Sequence, residues 1–151
     1  MSNAAADHAG SAWRAMRVLV FELNDRRADI TAALGLSFIR IKALRHLDRG
    51  PMSMGELGTT LLIDAPYTTV VVDDLEQRGL VERRPDPDDR RRKSVAVTAE
   101  GRRIARTAQR MLDEPPTVLE QLSSDELATL DRIMQTVLAA STGAASEGAT
   151  A

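Results

Sequence analysis

Residues 75–98 decide the fold of this 151-residue chain, and they read LEQRGLVERRPDPDDRRRKSVAVT. The helical part ends at Gly79, because glycine readily adopts the left-handed conformation that closes a helix. Two short strands are predicted over 80–84 and 94–97, and the second alternates apolar and small residues. The tip between them is rich in turn residues and carries closely spaced positive charge. This order predicts a wing, a basic hairpin that lies along nucleic acid beside a recognition helix.

The composition is that of a single globular domain. Apolar residues make up 43% of the chain and charged residues 28%, and the length suffices for one buried core. There is no apolar run long enough to span a membrane and no secretory signal pattern, which predicts a cytoplasmic protein. The chain has no cysteine, which excludes disulfides, cysteine metal sites and thiol redox sensing.

The charge is unevenly distributed along the chain. The net charge is −2, but residues 83–93 hold six basic and three acidic residues, a local charge of +3 that leaves −5 elsewhere. A positive tip on an acidic body favours binding of an anionic partner at one place and in one orientation. The alternative interpretation is a charged hairpin that is simply solvated.

Two short helices precede the wing. Ser53 and Glu56 form the Ser-x-x-Glu pattern of a capping box, which opens a helix over about 54–62. Asp64 then caps a second helix that runs to Arg78, with Pro66 in its first turn. Their short connection predicts a helix-turn-helix in which the second helix recognises DNA.

The recognition helix has two predicted faces. Its core-facing residues are expected to be Thr68, Val71, Val72 and Leu75, and its DNA-facing residues Ala65, Pro66, Tyr67, Thr69, Val70 and Asp73. Base reading is expected through Tyr67 and Thr69, with apolar contacts to thymine methyls from Pro66 or Val70. The adjacent acids Asp73 and Asp74 would repel phosphate if they were exposed. Phosphates are expected at the start of the preceding helix (54–62), where Ser53 stands.

The wing resembles that of the MarR family of bacterial regulators, which shows Asp-x-Arg followed by alternating apolar residues and a Leu-Thr or Val-Thr. Here that pattern is Asp89-Arg90-Arg91, Val95 and Val97-Thr98, and the resemblance covers about 34–101. It implies that Asp89 organises the wing and that Arg91 reaches the minor groove. The remaining basic residues are candidate phosphate contacts, and these are Arg83, Arg84, Arg90, Arg92 and Lys93. For Arg90, Arg92 and Lys93, simple solvation is the alternative.

The expected fold class is mainly α, a winged helix-turn-helix with N- and C-terminal dimerisation helices and a two-stranded β wing. The expected boundaries are a disordered start (1–10), one domain (11–140) that contains the winged part (about 34–101) between terminal helices (about 11–33 and 99–140), and a disordered tail (141–151). The terminal helices carry long apolar stripes that need burial. The resemblance implies that two subunits interlock through them as a homodimer on a pseudo-palindromic operator. A monomer that folds these helices onto itself is the alternative.

These observations predict a sequence-specific, double-stranded-DNA-binding transcriptional regulator, a repressor released by a small-molecule effector. The alternative is a winged-helix scaffold for protein interaction or antirepression, with little DNA binding, which Val70 and the paired acids favour. The resemblance also implies a cleft for an aromatic or lipophilic effector, and its candidate residues are Trp13, Arg14, Arg17 and Phe38. No cofactor, metal or enzymatic activity is expected, because His8 and His46 are the only histidines.

Overall fold

The computed structural model describes residues 3–85 and 93–147, which are mainly helical with one small antiparallel sheet. The elements are α1 (Asn3–Arg17), α2 (Arg27–Leu34), α3 (Phe38–Leu47), β1 (Met52–Ser53), α4 (Met54–Leu61), α5 (Ala65–Gln77), β2 (Val81–Pro85), β3 (Lys93–Val97), α6 (Ala99–Asp113) and α7 (Ser124–Glu147). A π-helical segment (Val18–Leu23) continues α1, and a 3-10 helix (Thr117–Gln121) precedes α7. The chain divides into two compact units, Met1–Glu114 and Pro115–Ala151.

The first unit is built around one apolar core. Helices α2 to α6 and the sheet each contribute an apolar face to it, and the fully buried side chains include Ile30, Ile41, Leu44, Leu57, Leu75 and Val95. Buried residues recur at three- and four-residue steps on α3 (Ile41, Leu44 and Leu47) and on α5 (Thr68, Val71, Val72 and Leu75), so that each of these helices buries one stripe. This core confirms the mainly α, winged helix-turn-helix fold.

The sheet has three strands in the order β1–β3–β2, where the sequence predicted two. Strand β2 pairs with β3 from Val81 opposite Val97 to Pro85 opposite Lys93. Strand β1 pairs with the other edge of β3, where Met52 lies opposite Val95. A two-residue strand shows no alternation, and β1 exists only because the chain between α3 and α4 meets the free edge of β3.

The wing and α6 meet at a close backbone contact. Gly79 closes α5 with a φ of 70°, and the Leu80 N–H donates to the Leu75 carbonyl oxygen at 2.9 Å. Thr98 caps α6 by accepting from the Gly101 N–H at 3.1 Å. A Cβ atom at Gly101 would lie 2.0 Å from the Leu80 carbonyl oxygen, so the absence of a side chain there allows α6 to start against the wing.

Helix extends into both described ends of the chain, where the sequence predicted disorder over 1–10 and 141–151. Helix α1 already begins at Asn3, and α7 continues to Glu147. Both stretches are rich in alanine, which has the highest intrinsic helix propensity. The first predicted helix (11–33) is also interrupted after Leu23, where the Asn24 side-chain amide donates to the Leu19 carbonyl oxygen. Among the described residues, no helix has the length and apolar character needed to cross a membrane.

Candidate nucleic-acid interface

Local hydrogen bonds fix the start of α5, the predicted recognition helix. The Asp64 carboxylate accepts from the Tyr67 N–H at 2.8 Å, and Pro66 occupies the first turn, as the sequence predicted. The Thr68 hydroxyl donates to the Asp64 carbonyl oxygen at 2.7 Å. The first turn of α5 is therefore rigid, and Tyr67 projects from a fixed position.

The two faces of α5 are those that the sequence predicted. The core-facing residues are all at most 1% exposed, and they are Thr68, Val71, Val72 and Leu75. On the opposite face Tyr67 is 43% exposed and Val70 53% exposed, and Ala65, Pro66 and Thr69 are exposed beside them. Exposed side chains on this face can enter a groove of DNA while the opposite face keeps its packing in the core.

Helix α4 approaches α5 closely because Gly58 has no side chain. A Cβ atom at Gly58 would lie 2.7 Å from the Thr68 hydroxyl oxygen. The turn between the helices is made by Leu62, which closes α4 with a φ of 58° and is 86% exposed. This conformation is uncommon for a leucine, and it sets the angle at which α5 leaves α4.

Ser53 closes the capping box that the sequence predicted at the start of α4. Its hydroxyl accepts from the Glu56 N–H at 3.2 Å, and its own N–H donates to the Glu56 carboxylate at 2.7 Å. Ser53 thus orients α4, and the positive end of the helix dipole lies at this residue.

The two adjacent acids of α5 are both paired within the protein. Asp74 accepts from Arg40 Nε of α3 at 2.6 Å and from Arg78 Nε at 2.9 Å. Desolvation alone would raise the pKa of Asp74, but the hydrogen bonds from Arg78 and Arg40 hold it below its ordinary value of 3.8. The repulsion of phosphate expected from Asp73 and Asp74 is therefore offset by neighbouring arginines.

Arg83 of β2 contacts two carboxylates of α5. Its Nη2 lies 2.5 Å from Asp73 Oδ1, its Nη1 donates to Glu76, and its backbone N–H donates to Glu76 Oε1 at 3.1 Å. The hydrogen bond to Asp73 raises the pKa of Arg83, against the opposing effect of desolvation. Asp73, Glu76 and Arg83 are called the Arg83 cluster below. Sequence reasoning treated Arg83 only as a candidate phosphate contact and missed Glu76 and Arg40.

The other described basic residues of the wing are exposed. Arg84 donates to Glu82 of the same strand, and 60% of its side chain is exposed. Lys93 begins β3 opposite Pro85 and is also exposed. Four candidate residues lie outside the described residues, and these are Asp89, Arg90, Arg91 and Arg92. The two strands lead directly into and out of the segment that contains them.

The candidate effector residues lie on two helices. Trp13, Arg14 and Arg17 are exposed on α1, and Trp13 is 62% exposed. Phe38 begins α3 and is half-buried. A shallow groove of about 430 Å³ along α1 and its π-helical continuation is lined by Arg14, Ala15, Val18, Leu19 and Leu23. It includes one of the four candidates, Arg14.

Comparison with protein families matches residues 34–92 to the model of the MarR family. The chain is 33% identical over 97 residues to the HTH-type transcriptional regulator YcgE of Bacillus subtilis, which is 63% of this chain and 63% of YcgE. It is 33% identical over 85 residues to the multiple antibiotic resistance protein MarR of Escherichia coli, 55% of this chain and 59% of MarR. The matched stretch thus spans less than two thirds of either relative.

Solved structures extend the similarity over more of the chain. The crystal structure of wild-type MarR from E. coli without ligand has a TM-score of 0.61 at 26% identity, over 73% of this chain and 84% of MarR. A probable transcriptional regulator from Pseudomonas aeruginosa has a TM-score of 0.53 at 32% identity, over 76% of this chain and 90% of that protein.

Proposed function

We propose that the chain, whose residues 34–92 match the model of the MarR family, is a regulator of that family that binds double-stranded DNA sequence-specifically and represses transcription. The observation that carries the proposal is the division of α5. One face is buried in the core, while Tyr67 and Val70 remain exposed on the other. A helix held in this way can enter the major groove, where base edges are distinguishable. The name of YcgE describes a transcriptional regulator, which supports the same assignment.

The proposed contacts with DNA fall into two groups. Base contacts are assigned to α5, through Pro66, Tyr67, Thr69 and Val70. Backbone and minor-groove contacts are assigned to the start of α4 and to the wing, through Ser53, Arg84, Arg90, Arg91, Arg92 and Lys93, with Asp89 as the organiser of the wing. Arg83 is not included, because both of its Nη atoms already donate to carboxylates of α5.

We also propose a homodimer on a pseudo-palindromic operator. Large apolar side chains are exposed along α1 and its π-helical continuation, and they include Trp13, Val20, Phe21 and Leu23. Exposed apolar surface of this extent is typical of an interface. Two-fold pairing would present two recognition helices to half-sites about one turn of DNA apart.

A winged-helix scaffold for protein interaction is the second candidate, and the structure leaves it less support. The adjacent acids were its main argument, but Asp73 pairs with Arg83 and Asp74 pairs with Arg40 and Arg78. Val70, an apolar residue where the family pattern often has a polar one, remains in its favour. If the protein had no measurable affinity for DNA, the scaffold function would be favoured over the DNA-binding function.

The test starts from a duplex that the protein itself selects from a random-sequence pool. We expect Arg91→Ala to weaken binding of that duplex more than tenfold, which is about 1.4 kcal/mol. Asp89→Ala should also weaken it, although the change removes a negative charge near DNA. Arg132→Ala, an exposed arginine of α7, is the matched control and should leave the affinity unchanged. If no duplex is selected, or if Arg91→Ala binds like the wild type, this function is refuted.

Release by an anionic aromatic effector is a separate part of the proposal. Guanidinium groups pair with carboxylates and stack on rings, and Arg14 and Arg17 lie on α1 with Trp13. A ligand can release DNA only if it favours a conformation that fits the operator poorly. Calorimetry with salicylate should show binding that Arg17→Ala weakens, and no heat at millimolar salicylate would refute this part.

A further inference from the structure

We propose that Arg83 is a positioning residue that acts through Asp73 and Glu76, so that these two acids strengthen DNA binding. The Arg83 cluster would fix the base of the wing against the recognition helix. This inference rests on the proposed function. It differs from the sequence expectation, in which Arg83 contacts a phosphate and the acids of α5 oppose binding.

The contacts within the cluster join β2 to α5 at two points of α5. Asp73 and Glu76 are three residues apart and so lie on the same side of the helix. Arg83 Nη2 donates to Asp73 at 2.5 Å, Arg83 Nη1 donates to Glu76, and the Arg83 backbone N–H donates to Glu76 at 3.1 Å. Two carboxylates and the planar fork of one guanidinium fix both a distance and an angle between the strand and the helix.

The charges of the cluster argue against a direct phosphate contact by Arg83. One guanidinium between two carboxylates has a formal charge of −1, which does not attract a phosphate. The Arg83 side chain is 23% exposed, compared with 60% for that of Arg84, the next residue of the same strand. Arg84 is therefore better placed to reach DNA, and Arg83 is held within the protein.

The connection between α5 and β2 shows why such a contact is needed. Only three residues (78–80) separate the helix from the strand, and Gly79 among them has a φ of 70°. Glycine has little intrinsic preference for one backbone conformation. Val81 anchors the start of β2 in the core, and the Arg83 cluster adds a contact with α5 two residues closer to the wing tip. This contact limits changes in the angle between the wing and α5, so that the recognition helix and the wing tip can engage one duplex together.

Asp74, which follows Asp73 in the chain, holds α5 to a different element, α3. It accepts from Arg40 Nε of α3 at 2.6 Å, so neighbouring acids connect α5 to two different elements. The pair Arg40–Asp74 holds the helix to the core, and the Arg83 cluster holds the wing to the helix. The structure thereby explains why an acid stands at both position 73 and position 74 of the recognition helix.

The decisive experiment measures affinity for the selected duplex in the full-length protein with Asp73→Asn and Arg83→Lys. We expect each change to weaken binding about tenfold, because asparagine lacks the charge and lysine lacks the fork that bridges two carboxylates. If Arg83 instead contacted a phosphate directly, the two variants would give the opposite result. Asp73→Asn would then tighten binding by removing a negative charge, and Arg83→Lys would retain most of the affinity.

The salt dependence of binding gives a second readout. Log affinity falls with log salt, and loss of one phosphate contact makes this slope less steep by about 0.9. We expect Arg83→Ala to keep the wild-type slope while affinity falls, and Arg84→Ala to reduce the slope by about that amount. A reduced slope for Arg83→Ala would overturn the inference.

Controls separate the inference from the proposed function and from simple misfolding. Glu100→Gln breaks an exposed pair with Arg103 at the start of α6 and should change affinity less than twofold. Melting temperatures of all variants should stay within a few degrees of the wild type. A wild type that selects no duplex overturns the proposed function and the inference together. Duplex binding that is unchanged or tighter in Asp73→Asn overturns the inference alone.

Discussion

Individual side chains of α5 have separate tasks. Thr68 faces the core and donates to the Asp64 carbonyl oxygen, while its neighbour Tyr67 is 43% exposed. A side chain on the exposed face contributes little to folding, so its replacement tests recognition without loss of stability. At positions where two backbone segments are in contact, replacement instead changes stability and does not test recognition.

Tyr67 is the residue whose replacement should separate recognition from folding. We expect Tyr67→Ala to weaken binding of the selected duplex about tenfold, because a large exposed group at the groove is lost. Tyr67→Phe should distinguish ring contact from hydrogen bonding by the hydroxyl. Both variants should melt close to the wild type. Equal duplex affinities of Tyr67→Ala and wild type would exclude Tyr67 from the interface.

Gly101 and Gly55 form a matched pair of helix glycines with opposite expected effects. In Gly101→Ala the new Cβ would lie 2.0 Å from the Leu80 carbonyl oxygen, so the start of α6 must shift. We expect a destabilisation of about 2 kcal/mol or more. At Gly55 no atom lies within 4 Å of such a Cβ, and Gly55→Ala should stabilise by about 0.5 to 1 kcal/mol. Urea unfolding of both variants checks this, and similar midpoints would contradict the close contact.

At the scale of elements, ion pairs between the helices have a predictable pH dependence. The folded-state pKa of Asp74 lies below its ordinary value of 3.8, because Arg78 and Arg40 donate to it. The contribution of this carboxylate to stability is therefore fully present above that value and is lost as the pH falls through the folded pKa. The junction of α3 and α5 should therefore weaken as the pH falls below 3.8.

The variant Asp74→Asn tests this element-scale prediction. We expect it to be less stable than the wild type at pH 7 and to lose less stability between pH 5 and pH 2, because it has no proton to take up. Thermal unfolding across this range measures the difference. If the two stability curves run parallel, Asp74 does not link α3 to α5 in solution.

At the scale of the whole molecule, apolar surface remains exposed on terminal helices of both units. Phe21 is 60% exposed on the π-helical continuation of α1, and Val137 is 48% exposed on α7. Surfaces of this kind on a folded chain are typical of an interface. A second copy is the partner that the proposed two-fold operator requires.

We expect the wild type to sediment as a dimer and Phe21→Glu to shift it toward monomer, because a charge within an apolar interface is costly to desolvate. The matched control is Leu62→Glu, which places the same charge at an 86% exposed leucine in the helix-turn-helix. That variant should remain dimeric. A monomeric wild type at micromolar concentration would remove the basis for a palindromic operator.

Much of the fold followed from the sequence because it depends on local rules. The capping residues Ser53 and Asp64, the closing glycine at 79 and the buried face of α5 were all predicted, and the structure confirms them. Each depends on residues within about one or two helical turns, where side-chain spacing and hydrogen-bonding capacity are readable from the letters. The resemblance of the wing to that of the MarR family pointed to the same family whose model matches residues 34–92.

The remaining features depend on residues that are distant in sequence. Asp74 and Arg40 are 34 residues apart, and Asp73 and Arg83 are ten apart, so no local pattern pairs them. Strand β1 likewise exists only beside β3. The sequence determined by itself where α5 lies and which of its faces is buried, because helix periodicity is local. Only the tertiary structure decided that the acids of that helix bind arginines of α3 and of the wing, because an ion pair depends on distance in space.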